Sequence, residues 1–291
     1  MCNLQSAIVS TQITQLLVLQ GQRYDPGDKH YDNEPFLSWV VNVSATSGPV
    51  PSVFSISYQD YEDTCPAAFM DRLNTEFAAL AMRGTTLVTG SGDWGTGCDK
   101  ADHYRADFPS SSPFVVSTGA TTFPAGSAAA MGKEVGVAFS SGGFSRHFPM
   151  PSYQRKGVGK YLAGCQVPRS NFNASGRGFP DVAAVGVGFQ IVVNRKVMPV
   201  GGTSAENPTF GAILSLINSA RLSRGKQTIG WANPLLHAAA EAGSASYHDI
   251  TQGNNAFGKC AGFNATVGWD PMTGWGTPNF PELVKHFIDA H

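Results

Sequence analysis

Between residues 200 and 211 the chain reads Val-Gly-Gly-Thr-Ser-Ala-Glu-Asn-Pro-Thr-Phe-Gly, and an apolar series follows at near-helical spacing. Phe210, Ile213, Leu214, Ile217 and Ala220 mark one face, which predicts a helix over residues 204–221 buried along that face. Ser204 stands where a glycine-rich turn meets the start of this helix. Free N–H groups and the helix dipole favour developing negative charge there, which is how a nucleophilic serine is presented. Serine is also a preferred N-cap, so this position by itself is open to a purely structural reading.

The rest of the chain alternates strands and helices. Residues 53–58 and 85–89 read as buried strands, and residues 66–83 between them as a helix carrying Phe69, Leu73, Phe77 and Leu80. Residues 113–116 read as a further strand. This βαβ rhythm predicts an α/β fold with a parallel sheet covered on both faces. At 291 residues, with 42% hydrophobic and 14% charged, the chain suits a compact core in one large domain or two small ones. No repeat, low-complexity tract or linker divides it. A net charge of −1 gives no footprint for nucleic acid or an anionic membrane. No apolar run reaches membrane-spanning length, and residues 13–19 are short and interrupted by polar residues. The N-terminus lacks the positive start and long apolar core of a secretory leader. The 33 glycines and 18 prolines punctuate long loops through residues 90–112 and 140–180, where a site is expected.

Two catalytic architectures are disfavoured by local pattern. Gly90-Ser91-Gly92-Asp93-Trp94-Gly95 fits a dinucleotide fingerprint and follows a predicted strand, but that fingerprint needs a helix directly after the glycines. Residues 98–112 are polar, contain proline and have no helical period. Nor is there a histidine-dependent serine protease signature. None of His30, His103, His147, His237, His248, His286 and His291 has a subtilisin-like His-Gly context, and no serine lies in a Gly-x-Ser-x-Gly elbow. Each histidine reads as a surface or internally satisfied residue.

The Gly202-Thr203-Ser204-Ala205 run resembles the nucleophile motif of the sedolisins, serine-carboxyl peptidases with a subtilisin-like fold. Further matching blocks are Glu34-Pro35-Phe36-Leu37-Ser38-Trp39, Ser91-Gly92-Asp93-Trp94-Gly95-Thr96-Gly97-Cys98 and Phe108-Pro109-Ser110-Ser111-Ser112-Pro113. They continue with Gly142-Gly143-Phe144-Ser145, Phe172-Asn173-Ala174-Ser175-Gly176-Arg177, Pro180-Asp181-Val182-Ala183-Ala184 and a thirteen-residue block from Gly268 to Phe280. The resemblance implies a subtilisin-like parallel sheet flanked by helices, with a peptidase domain over 34–291 after a weakly matching segment, 1–33. It implies peptide or unfolded-protein substrates, from whose free N-termini tripeptides are released at acidic pH in the lysosome. Ser204 would attack the carbonyl, and Asp93, held protonated, would donate a hydrogen bond to the oxyanion. Without the resemblance, Asp93 reads as a residue that turns or caps its loop.

The same resemblance implies a Ca²⁺ site from the carboxylates of Asp249 and Asp270 and the carbonyls of Ile250, Thr266 and Gly268. Hard oxygen donors suit that ion, and carbonyl ligation places little demand on side-chain identity at Thr266. It also implies a Cys98–Cys260 disulfide, with no role assigned to Cys2, Cys65 or Cys165. Three sequons, at Asn42, Asn173 and Asn264, fit a secretory route.

One departure matters for function. The family activates its serine with a glutamate oriented by an aspartate four residues later on one helix face. Four residues beyond Glu34, Glu62, Glu76, Glu134, Glu206, Glu241 and Glu282 stand Ser38, Pro66, Leu80, Ala138, Phe210, Ala245 and His286. None is aspartate, and no acid precedes Asp25. A start displaced by truncation, splicing or gene structure is the simplest account, with Asp25, Asp28, Asp32 and Glu34 as unusual substitutes. The alternative is a non-catalytic paralogue or isoform that keeps the fold and binds peptides.

Overall fold

The computed structural model describes residues 35–124, 134–243 and 245–289. The weakly matching segment, Cys2 and the acids Asp25, Asp28, Asp32 and Glu34 lie outside the described residues. In chain order the elements are α1 (Phe36–Ala45), β1 (Val53–Ile56), β2 (Asp60–Tyr61), α2 (Ala67–Met82), β3 (Thr86–Gly90), β4 (Asp107–Phe108), β5 (Val116–Thr122), β6 (Val135–Gly136) and β7 (Gly143–Pro149). There follow α3 (Arg155–Gly164), β8 (Gly176–Phe179), β9 (Val182–Val185), β10 (Val187–Val193), β11 (Lys196–Gly201), α4 (Thr203–Leu222), α5 (Asn233–Glu241), β12 (Tyr247–His248), β13 (Thr277–Pro278) and α6 (Phe280–Asp289).

Strands β1, β3, β5 and β9 run parallel in that spatial order, and β6 adds a short antiparallel pairing to the end of β5. Side chains alternate across this sheet, so each face needs its own apolar cover. Phe54, Ile56 and Leu87 pack with Val40 of α1 and with Leu73, Phe77 and Leu80 of α2. Val53, Val88, Val116 and Val182 pack on the other face with Phe210, Leu214 and Ile217 of α4, Leu236 of α5, and Leu283 and Phe287 of α6. The α/β fold with helices on both faces is therefore the observed one. A third cluster, built around Phe144, Tyr161, Phe263 and Trp269, underlies the long loops.

Two expectations need correcting. The strand expected at 113–116 is instead Val116–Thr122. Its remaining residues are Ser, Thr, Gly and Ala, which carry no apolar run for a reader to see, yet residues 116–121 are all buried. Small residues are required because the neighbouring backbone comes close: a Cβ on Gly119 would lie 2.7 Å from the Met272 carbonyl oxygen. Nor is 140–180 simply loop, since it contains the antiparallel pair β7–β8 and helix α3. Glycine disguises β8, where a Cβ on Gly178 would meet the Trp269 ring at 2.6 Å.

Among the described residues, a buried ionic centre forms around Asp181. Asp181 follows β8 and is fully buried with Arg177. Its Oδ2 accepts from Arg177 Nη2 at 2.6 Å, Ser117 N at 2.8 Å and Asn233 Nδ2 at 3.0 Å. Burial by itself would raise this carboxyl, but Arg177 and then His237 hold it below the ordinary carboxylate range. Trp275 Nε1 donates to His237 Nδ1 at 3.0 Å, and an indole N–H can only donate. With Nδ1 accepting, His237 donates from Nε2 to Asp181 Oδ1 at 3.1 Å. The centre joins β5, β9 and α5, so Asp181→Ala should destabilise the chain by about 3–5 kcal/mol in urea unfolding, because it strands a buried guanidinium. A loss below about 1 kcal/mol would show that water or a neighbour satisfies Arg177 instead.

Candidate active site

The carboxyl ends of β1 and β3 meet the amino end of α4. After β11, Gly202 (φ 140°) turns the chain into the helix, and Ser204 is the second helical residue with an exposed side chain. The N-cap is Gly202, not Ser204. The serine is therefore not engaged as a cap. Pro208 lies within the helix and has no N–H to give the Ser204 carbonyl four residues back. Ser57 Oγ, just beyond β1, donates to that carbonyl at 3.4 Å instead, and Asn207 Nδ2 ties the same turn to the Ile56 carbonyl at 2.7 Å.

The loop after β3 supplies Asp93. Its Oδ1 accepts from Thr203 N at 2.7 Å and from Thr203 Oγ1 at 2.9 Å. Gly92 N donates to Thr203 Oγ1 at 3.2 Å, so the loop and the helix start form one knot. Asp93 Oδ2 has no hydrogen-bond partner among the described residues. The two glycine positions that border the knot admit no larger residue. A Cβ on Gly202 would lie 2.9 Å from Asp93 Oδ2, and one on Gly90 would lie 2.7 Å from the Thr203 carbonyl oxygen.

Two further carboxyls lie behind this surface. Asp107 sits under Gly92, whose added Cβ would come within 3.1 Å of the Asp107 Cγ. Burial pushes the Asp107 carboxyl well above its ordinary range, against a hydrogen bond from Ser141, with Glu62 adding to the rise. Glu206, two residues after Ser204, is fully buried, with Oε1 3.1 Å from Thr118 Oγ1 and no partner for Oε2 among the described residues. Burial pushes it well above the usual range as well; Thr118 can donate to the ionised form and so draws it partly back, and Asp93 raises it.

The other sequence-predicted residues fall in two places. Asp270 is buried, and its carboxylate accepts from the backbone N–H groups of Thr266, Met272 and Thr273 at 2.9–3.0 Å. Burial still pushes it up to about 7. Asp249 Oδ2 accepts from Gly268 N at 2.8 Å, and burial raises this carboxyl too. The carbonyls of Ile250, Thr266 and Gly268 take no hydrogen bond from a described residue. Among the described residues no group of three or more His, Cys, Asp and Glu side chains is arranged to hold a metal ion. A cation here would rely on two carboxylates plus those carbonyls, a donor set that fits a hard ion. Cys98 and Cys260 form a disulfide, Cys65 is buried, and Cys165 is a free thiol. Asn42, Asn173 and Asn264 are all exposed. His103 and His147 pair with Asp99 and Asp71, away from Ser204 in the hydrogen-bond pattern.

No family model matches the chain. It is 43% identical to tripeptidyl-peptidase 1 of Canis lupus familiaris and 42% identical to that of Homo sapiens, each alignment covering 91% of the chain and 48% of the relative. It also superposes on Pseudomonas sedolisin, a serine-carboxyl proteinase solved with two molecules of pseudo-iodotyrostatin. The TM-score is 0.69 at 26% identity, over 87% of this chain and 67% of that one. The chain is similar to tripeptidyl-peptidase 1 over most of its own length and shares the sedolisin fold. It spans about half the length of the curated relatives it matches.

Within this sedolisin fold, sequence reading missed Glu206, Asp107 and the Asp181 centre. The signal for Glu206 was available. It falls on the stripe of Thr203, Asn207, Phe210 and Leu214 that faces the sheet, where an acid has no solvent.

Proposed function

We propose that the chain carries the nucleophile and oxyanion side of a tripeptidyl-peptidase 1-like serine-carboxyl exopeptidase, which releases tripeptides from free N-termini of unfolded proteins at acidic pH. The observation that carries this reading is the division of labour in Asp93. One oxygen holds Thr203, the residue that precedes exposed Ser204, and the other has no partner among the described residues. Ser204 Oγ attacks the scissile carbonyl carbon, its proton passes to a base, and the carbonyl π pair moves onto oxygen. Protonated Asp93 donates from Oδ2 to that oxyanion. Collapse of the tetrahedral species breaks the C–N bond, the leaving amine takes the proton, and water then hydrolyses the acyl-serine.

The base is the unfilled role. The sequence has no Glu-x-x-x-Asp pair, which specifically favours a second reading: a non-catalytic relative that keeps the fold and binds peptides. Under the first reading the chain by itself turns over slowly, because general-base assistance contributes about 10²–10⁴-fold. The exposed sequons and the similarity to tripeptidyl-peptidase 1 support a glycosylated lysosomal protein. When bound between Asp249 and Asp270, Ca²⁺ would neutralise two carboxylates and brace the loop before β13.

Release of an N-terminal tripeptide reporter at about pH 4.5 separates the two readings. The 291-residue chain should be about 10²–10⁴-fold slower than a version extended upstream by a Glu-x-x-x-Asp helix, and Ser204→Ala should abolish turnover in both. Full activity in the shorter chain, lost on Ser204→Ala, would assign the base to a carboxylate within residues 25–34. No activity in either form would favour the peptide-binding reading.

The cation has its own test. Asp270, pushed up to about 7, is largely protonated in acid without metal, and Ca²⁺ requires it ionised. Added Ca²⁺ should therefore raise the melting temperature more at about pH 7 than at about pH 4.5, and Asp270→Asn should remove the response. An equal response in Asp270→Asn would place the ion elsewhere.

A further inference from the structure

We propose that Glu206 is a positioning residue that clamps the serine-bearing turn of α4 to the sheet while it carries a proton, and releases that turn when it ionises. The inference rests on the reading of Ser204 and Asp93 given above and adds to it an acid-dependent support. Its first ground is a count of protons. Thr118 Oγ1 lies 3.1 Å from the Thr89 carbonyl oxygen and 3.1 Å from Glu206 Oε1. A threonine hydroxyl has one proton, and a carbonyl can only accept. Both contacts are hydrogen bonds at once only if Thr118 donates to Thr89 and Glu206 donates to Thr118. Neutral Glu206 thus completes a chain from α4 through β5 to β3. Ionised Glu206 must take the Thr118 proton away from Thr89.

The second ground is the absence of a compensating charge. Glu206 is fully buried, and its Oε2 is without a partner among the described residues. Helix α4 packs against β1, β3, β5, β9, β11 and α6. The segments β1, β3, β5 and β9 contain no ionisable side chain, whereas β11 has Lys196 and α6 has Glu282, Lys285, His286 and Asp289. None of these acts on Glu206; among the described residues the charged group that does is Asp93, of like sign. The helix dipole favours the anion at this first-turn position, but burial with Asp93 nearby outweighs it. Ionisation would therefore set charge against Asp93 in the same knot that places Ser204.

The sign of the pH effect follows. The folded chain keeps a proton that the unfolded chain releases above its ordinary value of about 4.3, so this contribution is intact below that value and is lost as pH rises. One such group changes the unfolding constant by at most about tenfold per pH unit across its window. Asp107, Asp249 and Asp270 slope the same way, so the informative quantity is the difference between the chain and a Glu206 variant.

Urea unfolding of the 291-residue chain and of Glu206→Gln, from about pH 4.5 to about pH 7, reads that difference. Glutamine keeps a donor for Thr118 and cannot ionise. The variant should match the chain in acid and become the more stable of the two toward neutrality, by up to about tenfold in the unfolding constant per pH unit. Parallel pH profiles would overturn the proposal. Should Glu206→Gln not fold, ¹³C-carboxyl NMR of the glutamate-labelled chain decides: one resonance should stay at the protonated position toward neutral pH, and ordinary titration of every glutamate would overturn the proposal. Labelling of Ser204 by a serine-directed phosphonate, followed against pH, should fall more steeply in the chain than in Glu206→Gln. Absence of labelling at every pH in both proteins would count against the Ser204 reading, while the unfolding difference would still decide the Glu206 proposal.

Discussion

One carboxylate oxygen holds this site together. Asp93 Oδ1 accepts both the backbone N–H and the hydroxyl of Thr203, joining the loop after β3 to the first turn of α4. Each end needs the other. The helix start has N–H groups with no partner inside the helix, and a carboxylate is a strong acceptor for one of them. The loop, which is rich in glycine, is fixed by what it binds rather than by its own conformational preference. Glycine at 90 lets the two backbones approach, glycine at 202 makes room for the Asp93 carboxyl, and Pro208 frees the Ser204 carbonyl for Ser57. The parallel sheet beneath directs the carboxyl ends of β1 and β3 to the same point, so the serine is presented by three segments far apart in sequence.

The interior sorts its carboxyls by partner. Asp181 has Arg177 and stays ionised; its contribution to stability is present above the ordinary carboxylate value and is lost as pH falls below it. Glu206 and Asp270 have hydroxyls and N–H groups but no described cation acting on them, and at Asp107 Arg105 does not offset burial; the contribution of all three is lost as pH rises above that value. The two sets of carboxyls therefore slope stability in opposite directions with pH.

Much of the fold was legible because burial has a period. The apolar stripe of α4 and the runs in β1 and β3 follow from which faces meet the core, and the helix between β1 and β3 was placed within a residue at each end. β5 was hidden because its buried positions are filled by Ser, Thr, Gly and Ala, whose small size serves close backbone packing rather than hydrophobic signal. The meeting of the Asp93 loop with the start of α4 was legible through motif resemblance, not through spacing, since Asp93 and Thr203 are far apart in sequence. Long-range pairings of polar atoms, such as Asn233 with Asp181 or Thr118 with Glu206, leave no local mark. Glu206 is the exception in principle: an acid on a helix stripe that otherwise faces the core is a contradiction visible in the sequence pattern alone.

The central claim is that Asp93 and the start of α4 act as one unit. A double-mutant cycle in urea unfolding tests it most directly, using Asp93→Ala, Thr203→Val and the pair. The account predicts coupling of about 1 kcal/mol or more, because the hydroxyl and the carboxylate each lose their partner when the other is removed. Effects that add within about 0.3 kcal/mol would mean that the two residues are neighbours without being partners, and the site would need another basis.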